Sequence, residues 1–415
     1  MQILRNSLLA GALAVGLGMT GTAQAQDDIV KFALIEDFTA VYTFATGEYN
    51  QGQRDYLTLI NEEGGLNGTK FEAIIRDHGN QPQRGIEAYN RAKEEGAILF
   101  DFLSTPVSLA LISTVLEDEN IMISVMNGRG DASAGEVFPY VFPLMPIYWS
   151  QAAVLADYID QHEGGLDGKK IGLVHIDSPF GREPVPVLED LAKLKNFEFR
   201  TFAYPSPGNE QSATWTEVRR FQPDHVLIWG AGGGQSVSVR EAIRNGITPD
   251  QIYSVVWFGE TDAHNVGDST VIGLRRFEAT VNGTDTPILQ RIKEKVIDTG
   301  KGAGDAKNVG STYYNVGVAG IAMSVEAARL ALEHEGAPLT GAKLKAGFER
   351  ITDFDADGLI APVTFTTKDH QGGGAGRVSQ WNGTAWEPVS DWVAAHQDVV
   401  QKVINEGAEA YKRGN

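Results

Sequence analysis

Ser104-Thr105-Pro106 is a stretch with an evident chemical use. Ser104 or Thr105 can cap a helix, and Pro106 suits its first turn. Open backbone amides and the positive end of the helix dipole at such a place attract a carboxylate. Met126-Asn127-Gly128-Arg129 also follows an apolar run, and Arg129 is either a partner for the same carboxylate or a solvated arginine. Glu260, in Gly259-Glu260-Thr261, can balance a ligand ammonium or cap a helix. Tyr42, Phe44, Phe180 and Trp229 are aromatics placed to wall an apolar or aromatic group. The chemistry these residues support is noncovalent capture of a small organic molecule.

Reactive chemistry has weaker claims. Gly230-Ala231-Gly232-Gly233-Gly234 follows a strand-like run, but a dinucleotide loop requires Gly where Gln235 stands. The loop instead brings backbone amides, including those of Ala231 and Gly232, close to something small, or is a tight connection. Asp353, Asp355, Asp357 and Gly358 imitate a calcium loop, yet its bidentate Glu falls on Thr364, so they read as solvated turn carboxylates. The eight histidines show no metal-ligand spacing, and no Gly-x-Ser-x-Gly elbow occurs. Cysteine is absent, which excludes disulfides, Cys-ligated metals and thiol catalysis. The expectation is a protein without enzymatic activity, cofactor or metal.

The elements that must position these loops follow from periodicity. Residues 30–35, 71–76, 97–103 and 121–125 read as apolar strands, separated by helix-length stretches at 47–63, 82–95 and 106–119. The rhythm restarts at 170–176 and runs through 197–204, 225–230 and 252–258. Near-continuous apolar strands alternating with helices imply parallel sheets covered on both faces. Ligands of such sheets sit beyond the carboxyl ends of the strands, which is where the loops above fall. Residues 312–335 form a long Ala-rich helix, 363–367 a strand, and 399–411 a terminal amphipathic helix docked on a lobe. Trp381-Asn382-Gly383 before Trp386 suggests a hairpin. Glu63-Gly64-Gly65-Leu66-Asn67-Gly68 recurs 100 residues later as Glu163-Gly164-Gly165-Leu166-Asp167-Gly168. Each copy stands between a helix and a strand, which points to two lobes of similar build.

Of the 415 residues, 35 are basic and 54 acidic, a formal charge of -19 that disfavours nucleic acid and anionic lipid. Arg5, the apolar run 8–17 and Ala23-Gln24-Ala25 make a secretory leader over residues 1–25, cleaved near Ala25. The product is expected to be soluble and periplasmic.

The chain resembles the type I periplasmic binding proteins of ABC importers, and within them the leucine/isoleucine/valine-binding family. The resemblance rests on residues 61–70, on Glu117-Asp118-Glu119-Asn120-Ile121-Met122-Ile123-Ser124, on Phe180-Gly181 and on Gly259-Glu260. It implies an α/β fold of two doubly wound, Rossmann-like lobes joined by a three-segment hinge near Leu144, Val281 and Ile360. Residues 26–144 and 281–359 would form the first lobe, and 145–280 and 360–415 the second with a carboxyl-terminal extension. It further implies that lobe closure traps a ligand and that the closed form, a monomer, docks on a membrane permease. Ser104-Thr105 and Asn127-Gly128 would hold the ligand carboxylate, Phe180 would cover its side chain, and Glu260 would meet its amino group. The family's tyrosines fall on Ala45 and on Ala231 or Gly232, and its disulfide is missing, which puts leucine, isoleucine or valine as ligand in doubt. The reading is therefore an amino acid or related amide, with an aromatic or other carboxylate as the alternative in the same role. A ligand-sensing receptor on the same scaffold is the other alternative.

Overall fold

The computed structural model describes residues 29–414; the leader expected at 1–25 lies outside the described residues. Ten segments become parallel strands. The first five are β1 (Ile29–Glu36), β2 (Lys70–Asp77), β3 (Ala97–Asp101), β4 (Ile121–Ile123) and β5 (Val141–Phe142). They form one sheet in the order β2-β1-β3-β4-β5. The next five are β6 (Lys170–Ile176), β7 (Glu198–Tyr204), β8 (His225–Trp229), β9 (Ile252–Ser254) and β10 (Arg275–Glu278). A carboxyl-terminal hairpin, β11 (Arg377–Trp381) and β12 (Trp386–Pro388), pairs antiparallel with β10 and completes a second sheet in the order β12-β11-β10-β9-β8-β6-β7. Phe32, Ala33, Leu34 and Ile35 are all fully buried, as a strand covered by helices on both faces requires.

The helix Thr43–Glu62 packs on the helix Thr312–Glu335, and two glycines set how closely. A Cβ on Gly317 would lie 2.1 Å from the Tyr49 carbonyl oxygen, and one on Gly52 would lie 2.2 Å from that of Tyr314. Asp55 accepts the Tyr314 hydroxyl across the same seam at 2.9 Å. Thr312–Glu335 is long and apolar enough to span a membrane, but 78% of its most apolar window is buried inside the protein, as in a core helix. Gly317→Ala forces the two backbones apart and is expected to destabilise by about 1–3 kcal/mol, read as a lowered urea midpoint with an unchanged slope.

Several expectations from the sequence change. β3 ends at Asp101 and β9 at Ser254, so Phe102-Leu103 and residues 255–258 become loops beyond the sheet edges. Residues 363–367 do not form a strand: Val363 makes one isolated bridge to Phe354. The repeated glycine turn does not mark equivalent places. Gly64, Gly65, Gly164 and Gly165 all take positive φ, but the first copy leads into the edge strand β2 and the second into β6, the topological counterpart of β1. A left-handed exit from a helix into a strand is a general solution that the chain uses twice.

Residues 361–370 stay with the first sheet: Asp369 bridges to Ala134 and the His370 ring stacks on Phe142 at 3.9 Å. Gln371 then turns to the second lobe, accepting from the Ser150 hydroxyl at 2.9 Å. The third passage therefore runs after His370, beyond Ile360. The terminal helix Gln397–Lys412 straddles both lobes. Lys402 pairs with Asp190 at 2.7 Å on one side, and Tyr411 packs on Phe138 at 4.6 Å on the other.

Candidate ligand-binding cleft

The loops leaving the carboxyl edges of the two sheets face each other. Tyr42, Phe44, Ala45, Leu103, Thr105, Asn127, Tyr148 and Trp257 enclose a cavity of about 20 Å³, the room of a single water. The two lobes are in contact around it. The Gly130 amide donates to Glu183 Oε2 at 3.2 Å, and the Trp257 ring stacks on Tyr313 at 6.1 Å. Gly232, with φ at +56°, lets the second lobe approach the first. A Cβ there would stand 3.2 Å from the Val41 carbonyl oxygen and 3.5 Å from the Phe44 ring.

On the first lobe, Asp37 accepts the backbone amides of Thr39, Ala40 and Tyr42, which folds the turn that carries Tyr42 and Phe44. The Ser104 hydroxyl caps the helix Thr105–Glu117 by accepting from the Val107 amide at 3.4 Å, and it donates to Asn80 at 2.7 Å. Thr105 Oγ1 accepts the Gly128 amide at 3.2 Å and so ties the loop after β3 to the loop after β4. Ser108 donates to Asn127 at 2.9 Å and fixes its amide. Below them, Asp101 is fully buried and accepts from Tyr49 (2.6 Å), Gln53 (2.8 Å) and the Leu103 amide (3.1 Å). The last bond holds Leu103 at φ +38°, a left-handed conformation unusual for a side chain of this size, and turns it into the cavity. Burial pushes Asp101 up to about 6, and burial together with the Asp101 charge pushes the adjacent Glu36 well above the usual carboxylate range.

On the second lobe, Tyr148 opens the helix Tyr148–His162 and receives a hydrogen bond from Trp257 Nε1 at 2.7 Å. Phe180 and Trp229 are buried against the Tyr148 ring, at 5.1 and 5.9 Å, and support it from behind. Ala231 caps the helix Gly232–Arg244 and contributes backbone only.

The predicted residues thus divide. Tyr42, Phe44, Thr105 and Asn127 reach the cavity. Ser104, Gly128, Phe180, Trp229, Ala231 and Gly232 shape its walls. Arg129 turns away: its Nε and Nη2 both donate to Asp131 at 2.5 Å, and its guanidinium lies over the Tyr411 ring at 5.1 Å. Glu260 also lies outside the cavity. Its carboxylate accepts the Thr312 hydroxyl at 2.8 Å and the Thr312 amide at 3.3 Å, and it faces a separate chamber of about 470 Å³ shared with Glu48 and His264. Phe44 and Trp257, which line the small cavity, both pack on Tyr313, at 5.5 and 6.1 Å, and Tyr313 is anchored by donating to Asp262, whose carboxyl burial raises to about 6.

Leu103, Tyr148 and Trp257 were not marked by the sequence. Ending the strand at Ser254 would have placed Trp257 beyond the sheet edge, where ligands bind. Tyr148 carries no such signal, because it follows a passage between lobes. Among the described residues, no group of three or more His, Asp or Glu stands together to hold a metal ion.

Comparison with known proteins agrees with this architecture. The sequence profile of the periplasmic binding proteins matches residues 29–385. The leucine-specific-binding protein of Salmonella typhimurium is 21% identical over 245 residues, which cover 58% of this chain and 64% of that protein. The chain thus spans a little under two thirds of that relative's length. A crystal structure from the Pseudomonas fluorescens group, described as an ABC transporter permease, superposes with a TM-score of 0.86 at 35% identity, over 94% of this chain and 98% of the other. A branched-chain amino acid ABC transporter protein from Thermus thermophilus, solved with bound valine, gives a TM-score of 0.78 at 20% identity, over 91% and 99%. With the profile spanning nearly every described residue, the chain belongs to the periplasmic binding protein family, whose members are periplasmic solute-binding proteins rather than enzymes.

Proposed function

We propose that this protein is the substrate-binding component of an ABC importer. It captures a small organic solute with an apolar or aromatic body between its lobes and delivers it to a membrane permease. The observation that carries this reading is the cavity itself. Side chains from both lobes meet there at the carboxyl edges of the parallel strands of the two sheets, the place where open α/β sheets bind ligands. Its walls are aromatic and aliphatic with a few hydroxyl and amide groups, the composition of a small-molecule site. The lining residues offer no nucleophile beside a base, which supports a site that holds its solute without transforming it.

The cavity is closed down to the size of a water in this conformation, so a solute must enter through an opened hinge and be enclosed as the lobes meet. The test is scattering and thermal unfolding of the leaderless protein against amino acids, amides, aromatic and aliphatic acids, and polyols. A true ligand is expected to shrink the radius of gyration. At a hundred times its dissociation constant it stabilises by about 2.7 kcal/mol. A chain whose scattering stays unchanged across all of these classes is not such a receptor.

A further inference from the structure

We infer that Tyr148 is the specificity-determining residue of the cleft, and that the ligand is an organic monocarboxylate on an apolar or aromatic body, carrying no ammonium group. The inference rests on the solute-binding reading above and specifies its ligand class.

An indole N–H only donates, so the 2.7 Å contact makes Tyr148 the acceptor from Trp257 and leaves its own hydroxyl proton to point elsewhere. Tyr148 is 4% exposed and lines the cavity, and its hydroxyl makes no other hydrogen bond among the described residues. Across the cavity, Thr105 Oγ1 is likewise the acceptor, from the Gly128 amide, and retains a proton to donate. The Thr105 backbone amide opens the 13-residue helix Thr105–Glu117, where the first N–H groups have no acceptor inside the helix. Its neighbour Pro106 has no N–H to compete. Donors therefore converge from both lobes on one small space, and an anionic oxygen is the group that accepts from several at once.

The cavity walls supply no counter-charge to a cation. No Asp or Glu is among the residues that line the cavity. Glu260, the acid that the family resemblance assigns to an ammonium, is engaged by the Thr312 amide and hydroxyl. The buried Arg276 guanidinium attracts it from the same side. It faces the outer chamber, which shares no lining residue with the cavity. The acid whose charge is felt at Tyr148 is Glu183, which accepts the Gly130 amide. Glu183 does not line the cavity, and burial pushes it up to about 8, which disfavours its charged form. An ammonium enclosed here would lack a partner, at a cost of several kcal/mol, whereas a carboxylate meets Tyr148 and Thr105.

The experiment uses matched ligands on the leaderless full-length protein. The probes are 3-phenylpropanoate, L-phenylalanine and 3-phenylpropan-1-ol, with 4-methylpentanoate, L-leucine and 4-methylpentan-1-ol as the aliphatic set. Calorimetry is expected to give each acid at least tenfold tighter binding than its amino acid and its alcohol. In Tyr148→Phe the acid loses about 10–100-fold while the alcohol is nearly unchanged, so the acid-to-alcohol ratio collapses. A purely structural loss would weaken both alike. Glu260→Gln leaves the acid's affinity within twofold. Amino acids that bind as tightly as their acids, a Tyr148→Phe variant with an unchanged ratio, or the absence of acid binding in both sets would each overturn the inference. If the acids fail and another solute class still closes the lobes in scattering, the ligand assignment falls and the transport reading stands. If no solute closes them, the transport reading falls as well.

Discussion

Arg276→Met is expected to destabilise the protein by about 3–5 kcal/mol, the cost of breaking a buried charge network by removing one member. Arg276 is completely buried at the start of the passage from β10 back to the first lobe. Its guanidinium donates to the Phe258 carbonyl at 2.8 Å, Asn282 at 3.0 Å and Thr312 at 2.8 Å, and lies 4.2 Å from the centre of the Trp386 ring. The Thr312 hydroxyl in turn donates to Glu260, so one cation joins the second sheet, the passage and the first turn of the long helix on the first lobe. Methionine fills much of the volume but leaves a carbonyl, an amide oxygen and two nearby carboxylates, Glu260 and Glu278, without that cation. Arg276→Lys keeps the charge but cannot reach the same acceptors at once, and should lose roughly half as much. Urea unfolding followed by circular dichroism measures both. A methionine variant within 1 kcal/mol of the parent would mean that the network is neutral overall.

The second large effect is a loss of stability as pH rises. Burial, with the Asp131 charge adding to it, lifts Glu183 from an ordinary 4.5 to about 8, against the lowering effects of the Gly130 amide and Arg129. Below pH 4.5 the group is protonated in both the folded and unfolded chain and contributes nothing to the pH dependence. Between 4.5 and about 8 the unfolded chain releases the proton and the folded chain keeps it, so stability falls as pH climbs. Above that window the effect is constant, at no more than ~5 kcal/mol in total. Asp101 and Glu36 shift in the same direction and add to the slope. Glu183→Gln isolates one contribution: its melting temperature should decline less between pH 5 and 8 than the parent's. At pH 8 it should be more stable by about 2 kcal/mol. Because Glu183 touches Gly130 of the opposite lobe, opening the hinge also solvates it, so closure weakens with pH in the same sense. Parallel melting curves for the two proteins would show that the carboxyl is ionised in the fold.

Much of the architecture was legible before any coordinate. Residues 170–176 read as a strand and 312–335 as a helix, and both match the structure to the residue, because long periodic segments with a single buried pattern leave little choice. Loop boundaries were less legible. An apolar run such as 252–258 looks like strand throughout, but pairing with β8 and β10 ends at Ser254, and Val255 to Phe258 are buried as loop. Burial alone does not reveal that change, since both states bury the same side chains.

Arg129 and Glu260 illustrate the other limit. Their types suit a carboxylate and an ammonium, and their positions after strands suit a cleft. Yet Arg129 finds Asp131 two residues on and Tyr411 in the terminal helix, while Glu260 finds Thr312 on the opposite lobe. A long charged side chain takes whichever partner the fold brings within reach, and those partners lie up to 282 positions away in the chain. By itself the sequence determined the alternation of strands and helices, the two parallel sheets, and the loops that carry the cleft, because periodicity and turn chemistry act over a few residues. Only the tertiary structure decided which of those loop residues face the ligand. It closed Tyr148 onto Trp257 and drew the charged residues away, because the direction of a side chain is settled by contacts between segments remote in sequence.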